Sequence, residues 1–310
     1  MTTNKPLSKK IADLTNALQT STIPVKSRPI SVAFSKDEKR AFVCHDNRDN
    51  NEGYVSVIDV GSSEVVKIIT LESRVRAIAV SPDDKRIVVC NQGEVWVIDA
   101  KTLEPAKVEE EDVGADVSVA FSPDGKFIYF VRSSAPQFIV LNATSLRKVH
   151  SIFSAGSPNA VVVSPDNSKV YFSAEMNAEV NVFDVAAQDV VKSIKVGKTP
   201  NDLAITGDGQ FLCVCNYEDN TVSFINTTIE TVVKTVSVGE GPVAVASGSD
   251  GRYMYVVRNS DEKVLVIDVG TFAEVRQFSV GSMPFDIAVA ESVIYTVNLN
   301  SASVTVTRLA

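Results

Sequence analysis

Three arginines and a histidine, Arg76, Arg132, Arg258 and His45, fall at matching points of a chain that repeats itself, with Asn159, Asn201, Asn216, Asn298, Glu175, Asp202 and Asp286 at neighbouring points. Guanidinium groups grip carboxylate or phosphate through paired N–H donors. His45, Arg76, Arg132, Asn159, Asn201, Asn216, Arg258, Asp286 and Asn298 are therefore the candidate ligand-binding set, suited to a small anionic molecule or a protein partner. A second chemistry is open to part of this set. Glu175, Asn159, Asn201 and Asp202 offer the hard oxygen donors that hold a divalent cation such as Ca2+, and such an ion could activate water for hydrolysis. Each side chain also has a plainer use, tying loops together, because buried polar groups need partners whatever the function.

Other chemistries find little support. His45 has no nucleophile in a strained G-x-S-x-G turn, and His150, the other histidine, falls in an outer strand. Two histidines are too few for a zinc site. No glycine-rich phosphate loop occurs, and the single tryptophan, Trp96, sits in a strand where it reads as core. Cys44, Cys90, Cys213 and Cys215 all lie in apolar runs. Cys213 and Cys215 point to one side of a strand about 7 Å apart, too far for a disulfide. They read as small buried hydrophobes in a reducing compartment.

The elements that must position these residues follow from a repeat. The turn phrase occurs as SKDEK at Ser35, SPDDK at Ser81, SPDGK at Ser122, SPDNS at Ser164, TGDGQ at Thr206 and GSDGR at Gly248, then degenerates to AESV from Ala290. Successive spacings are 46, 41, 42, 42, 42 and 42 residues. A period near 42 with four strand-like runs in each is the mark of a propeller blade. Strand A carries an alanine column, Ala33, Ala79, Ala120, Ala204, Ala246 and Ala288, with Val162 as the exception. Ser-Pro-Asp-Gly suits a type I turn from A to B. Strand C ends on Asp59, Asp99, Asn142, Asp184, Asn226 or Asp268, which can bond their own backbone in the C-to-D turn and so are set aside as catalytic candidates.

The predicted fold is all-β, a seven-bladed propeller over residues 20–310, with blades starting near 29, 75, 116, 158, 200, 242 and 284. The chain ends on strand C of the last blade, so the missing outer strand must come from the other end. STIPVKSRP aligns in register with KTVSVGEGP, placing Ile23 on Val236, Val25 on Val238 and Pro29 on Pro242. Pro24 then falls in an edge strand, where proline is tolerated. Upstream, Leu7, Ile11, Leu14 and Leu18 have helical spacing, predicting a short amphipathic helix over 1–19 that covers the propeller.

The net charge of −8 argues against a nucleic-acid partner. No run of about 18 apolar residues reads as a membrane span. The polar N-terminus lacks a secretory core, which leads to the expectation of a cytoplasmic protein.

The phrases VCNYEDNTVSFINT, VVRNSDEKVLVIDVGT and YTVNLNSASVTV, with the recurring G-x-x-P-x-x-x-A, resemble YVTN-family propeller repeats. The signature is loosened at Tyr295–Asn298, which permutes it. The resemblance implies a seven-bladed ring whose relatives include lactonase-like enzymes and domains of redox enzymes, and it implies no single activity. In such a ring the D-to-A and B-to-C connections share one rim. The column after strand B holds His45, Asn91, Arg132, Ala174, Asn216, Arg258 and Asn298, and the mouth of strand A holds Arg76, Asn159 and Asn201, followed by Asp202 and Asp286. A scaffold position should repeat one residue, and these columns do not. The expectation is a non-catalytic binding propeller with its site in the central funnel and no cofactor. The alternative is a divalent-metal lactonase-like hydrolase using the same funnel.

Overall fold

The computed structural model describes residues 18–47, 51–91, 93–108, 118–133, 136–154 and 156–309. Their strands form seven four-stranded antiparallel sheets, six of them built from consecutive strands. The seventh combines Pro284–Val289, Val293–Asn298 and Ser303–Arg308 with Gln19–Pro24 from the other end of the chain. The protein is a seven-bladed β-propeller closed by its own first strand. Ile23 pairs with Val304, and Pro24 with Ser303 on the open edge. Val25 N–H bonds Ala302 O at 3.0 Å, the counterpart of Val238 N–H to Asn220 O at 3.0 Å, so the register read from the sequence is the register formed. Of the helix expected over 1–19, residues 1–17 lie outside the described residues, and Leu18 is not helical. Gln19, assigned to that segment, belongs instead to the closing strand.

The core is not central. Strand side chains alternate between two faces, and both faces of each blade are covered by neighbouring blades. Phe42 and Cys44 pack toward blade two, while Ala41 and Val43 pack toward blade seven. Seven apolar layers result, one per interface. Ile23 enters the layer between blades seven and one, so the closing strand seals a core as well as an edge. Cys213 and Cys215 share the layer between blades five and six, and all four cysteines are buried free thiols.

The lower face carries the A-to-B turns. In five blades a Ser or Thr opens the turn. Ser81 Oγ, for example, donates to Asp83 at 2.7 Å and accepts Arg86 N–H at 2.9 Å. The same pair of bonds recurs at Ser35, Ser122, Ser164 and Thr206. The Asp and Asn residues ending strand C cap their own turns, as Asn226 does by accepting the N–H groups of Thr228 and Ile229. These carboxylates and amides are structural. The D-to-A and B-to-C connections meet on the upper face, around the axis.

Deleting residues 1–24 removes the partner of Ser303–Arg308 and bares a sheet edge. Loss of the cooperative melt, followed by circular dichroism, is the expected outcome, whereas deleting 1–17 leaves the transition in place. A 1–24 deletion that melts as the full chain does would contradict closure by this strand.

Candidate functional site

Seven inner strands converge on the axis and leave a cavity of about 220 Å³. Its wall includes Ile30, Ser31, Arg76, Ala77, Ser118, Asn159, Ala160, Asn201, Asp202, Val243, Ala244, Phe285 and Asp286. Two consecutive residues of strand A face inward together. In blades one, five, six and seven a register shift explains this, falling between Pro29 and Ser31, Pro200 and Asp202, Pro242 and Ala244, and Pro284 and Asp286. A bulge residue in each strand turns its side chain to the same side as the next.

The second inward column reads Ser31, Ala77, Ser118, Ala160, Asp202, Ala244, Asp286, polar in odd blades and alanine in even ones. Its polar members lock the ring. Asp202 accepts Leu203 N–H at 2.8 Å and, from the next blade, Val245 N–H at 2.8 Å. Asp286 accepts Ile287 N–H at 2.7 Å and Val32 N–H of blade one at 2.9 Å. Ser118 accepts Val161 N–H at 3.4 Å across the next interface. In the first column, Asn159 Nδ2 donates to Asn201 Oδ1 at 2.8 Å, and Asn201 Nδ2 donates to Val243 O at 2.6 Å. Val243 O can only accept, which fixes the Asn201 amide and, through it, that of Asn159.

The two carboxylates belong to half-buried residues on the cavity wall. Burial, reinforced by the charge of Asp286, pushes the Asp202 carboxyl up to about 7, against the pull of its two backbone N–H bonds. Burial also raises Asp286, opposed by the bonds from Val32, Ser31 and Ile287. Arg76 stands exposed on the same wall, and its guanidinium makes no hydrogen bond or ion pair among the described residues. It also lines an adjoining upper-face cleft of about 460 Å³ with Ser73, Arg74, Asn91 and Glu94. Arg74 is already held by Asp46, at 2.6 Å from Nη2.

The column after strand B stands elsewhere. His45 is wholly buried, with Nδ1 3.1 Å from Ser27 O and Nε2 2.9 Å from Ser56 Oγ. Burial drops its pKa to about 4, so the ring is neutral. Asn216 accepts Gly197 N–H at 3.1 Å and donates to Thr221 and Ser223. Asn298 donates to Ser303 and Thr305. Arg258 donates to Val238 O at 2.7 Å and pairs with Asp261, and Asn91 donates to Arg74 O. In blades one, two, five and six the side chain thus clips the preceding D-to-A connection. Its identity varies because several groups can do one job, which corrects the expectation that variation marks a ligand wall. Arg132, opposite Gln137 at the end of strand B, is not among the described residues lining the cavity.

The oxygen cage expected of Glu175, Asn159, Asn201 and Asp202 does not assemble. Glu175 sits in the 3-10 turn Glu175–Asn177, off the cavity wall, and the Asn201 oxygen is taken by Asn159. Among the described residues no group of three or more His, Cys, Asp or Glu converges as a metal site. The polar loop from His45 to Tyr54 lies partly, and the acidic run Glu109–Asp112 wholly, outside the described residues. No helix among the described residues is long and apolar enough to cross a membrane.

A signal for the clip was present in G-x-x-P. A Cβ on Gly197 would lie 2.7 Å from the Asn216 side chain, and one on Gly281 2.7 Å from that of Asn298. Gly197→Ala and Gly281→Ala are expected to cost the roughly 1–3 kcal/mol of an overpacked site. Gly207→Ala, where the nearest atom is 3.7 Å away, should stay within about 0.5 kcal/mol. A Gly197→Ala midpoint equal to that of Gly207→Ala would refute the clip.

Asp202 takes up a proton on folding between its ordinary 3.8 and about 7. Its contribution therefore favours the fold at low pH and is lost as pH rises through about 7. Relative to Asp202→Asn, the wild type should lose stability between about pH 5 and about pH 8, by up to a few kcal/mol at roughly 1.4 kcal/mol per unit. Urea melts at the two pH values measure this, and a constant difference between the proteins would contradict it.

Comparison with known proteins agrees with this architecture. The family described as Lactonase, 7-bladed beta-propeller matches residues 70–245, more than half of the chain. Kuenenia stuttgartiensis hydrazine synthase superposes with a TM-score of 0.78 at 21% identity, over 91% of this chain and 96% of that one. The β-propeller domain of Myceliophteria thermophila Cps50 (Swd1) does so with a TM-score of 0.80 at 13% identity, over 95% and 100%. At such identities the likeness is one of fold. No match was found among curated proteins. With the family match spanning blades two to five and all seven four-stranded blades in place, the chain belongs to the lactonase-type seven-bladed β-propeller family.

Proposed function

We propose that this propeller is a non-catalytic binding module whose axial cavity receives the anionic group of a small molecule at Arg76. One contrast carries the reading. Asp202, Asp286, Asn159, Asn201 and Ser118 on the wall are engaged in bonds that join one blade to the next, while the Arg76 guanidinium has no partner among the described residues. An exposed guanidinium on a cavity wall suits a carboxylate or phosphate. The Ser31 hydroxyl and the Asp286 carboxylate, which meet on this wall, bond each other where blades seven and one join, as the other interblade locks do. Arg132 and Arg258, expected to share the task, lie away from the cavity and leave it to Arg76.

Arg76→Gln should weaken binding of a small carboxylate or phosphate by roughly 1.5–3 kcal/mol, the value of a hydrogen bond to a charged group, and added salt should weaken wild-type binding. Arg132→Gln and Arg258→Gln should leave it nearly unchanged. Calorimetric titration with acetate, propionate and phosphate reads the affinities, alongside a panel of simple lactones assayed with and without chelator. Lactone turnover that disappears in Asp202→Asn or with chelator would overturn the reading in favour of a metal-dependent hydrolase.

A further inference from the structure

The axial cavity carries charge of both signs, set at two depths. Arg76 belongs to the first inward column and Asp202 and Asp286 to the second, one residue further along strand A toward the lower face. Arg76 stands on blade two, Asp202 on blade five across the ring, and Asp286 on blade seven, with blade one between it and Arg76. Each carboxylate accepts two backbone N–H groups, half of the roughly four acceptor positions such a group has. Asp286 also takes the Ser31 side chain, and both carboxylates line the cavity. No cation among the described residues bonds either one. The thiols of Cys213 and Cys215 feel the charge of Asp202, and that of Cys44 the charge of Asp286. Two half-buried carboxylates without a counter-charge are costly, and a ligand cation relieves that cost.

We propose that the ligand of the axial cavity is a small zwitterion, its carboxylate held at Arg76 and its ammonium group lowered between Asp202 and Asp286. This deepens the anion-binding reading above and rests on it. An ammonium brings three N–H donors. The cavity offers it both carboxylates and the Asn159 oxygen, which is left open because the Asn159 nitrogen points to Asn201. Donors of this kind suit carboxylates already bonded to backbone N–H, whereas a compact dication needs a cage that these residues do not form. Ile30 and Phe285 supply apolar wall for the carbon chain between the charges. A volume of about 220 Å³ limits the ligand to on the order of ten non-hydrogen atoms, given about 30 Å³ per water in the liquid. Because Asp202 holds a proton over part of the neutral range, seating an ammonium beside it should release that proton.

The test is calorimetric titration of the full-length protein with straight-chain ω-amino acids of two to six carbons, the alkanoates of the same lengths and the n-alkylamines. The expected result is one chain length at which the amino acid binds at least about tenfold tighter than its alkanoate and its amine. Its binding heat near pH 7 should vary with the ionisation enthalpy of the buffer, reporting proton release. Asp286→Asn should bring the amino acid to alkanoate ratio toward one while alkanoate binding persists. Should that variant fail to fold, the ratio and the buffer dependence in the wild type decide alone. A ratio near one at every length, or no binding of any ω-amino acid, overturns the proposal. If alkanoates bind and lose affinity in Arg76→Gln while the amine adds nothing, only the zwitterion falls. If Arg76→Gln leaves alkanoate affinity unchanged, the anion site itself is refuted.

Discussion

Backbone pairing between Gln19–Pro24 and Ser303–Arg308 joins the two ends of the chain, and the rest of the ring depends on that seam. Each blade buries both of its faces against neighbours, so no blade has a core of its own and each apolar layer needs two sheets. Were the seam open, the layer holding Ile23, Val32, Val43 and Tyr295 would lose one of its strands, and blades seven and one would be free to part. Asp286 would be affected too, because its bond to Val32 N–H crosses the same interface at 2.9 Å. The closure that stabilises the fold therefore also holds one carboxylate of the axial cavity in place.

Crowding at the axis shapes the cavity. Seven strands that splay outward must crowd inward, and the alanine column reflects the little room there. One residue along, polar side chains occur only in alternate blades, where alanine on either side leaves space for a carboxylate or hydroxyl to reach the next strand. Seven is odd, so the alternation fails once, and blades seven and one bring Asp286 and Ser31 together. The same groups serve as interblade locks and as cavity wall. Their hydrogen bonds hold the carboxylates rigidly on the cavity wall, which is the condition under which a buried charge selects for its opposite.

The polar residues that vary from blade to blade divide into two kinds. Those after strand B reach the preceding D-to-A backbone, and a histidine, an asparagine or an arginine can each make that contact. Variation there reflects equivalence of donors and acceptors. On strand A the variation changes the charge of a cavity wall, as at Arg76, Asn159 and Asp202. Residue type alone does not separate these cases, since Arg76 and Arg258 are the same amino acid. Their separation comes from whether the side chain meets backbone or open space.

Local signals and periodicity were enough to determine much of this protein from its sequence. The turn phrase from Ser35 to Gly248, the strand pattern and the match of STIPV to KTVSV specified seven blades, their strand order and the closing register, because each is a short-range pattern repeated with one period. The inward position of Arg76, Asn159, Asn201, Asp202 and Asp286 was legible for the same reason. What the alignment could not decide was where long side chains end. Arg258 turns to Val238 O, His45 is enclosed against Ser27 and Ser56, and Glu175 stays in its turn. Nor did it show that Asp202 and Asp286 bond the next blade, or that a cavity separates them from Arg76. Those facts depend on contacts between residues 43 or 254 positions apart. Only closing the ring brings them within hydrogen-bond reach, and an interaction that falls off within a few ångströms is settled by tertiary distance, not by spacing along the chain.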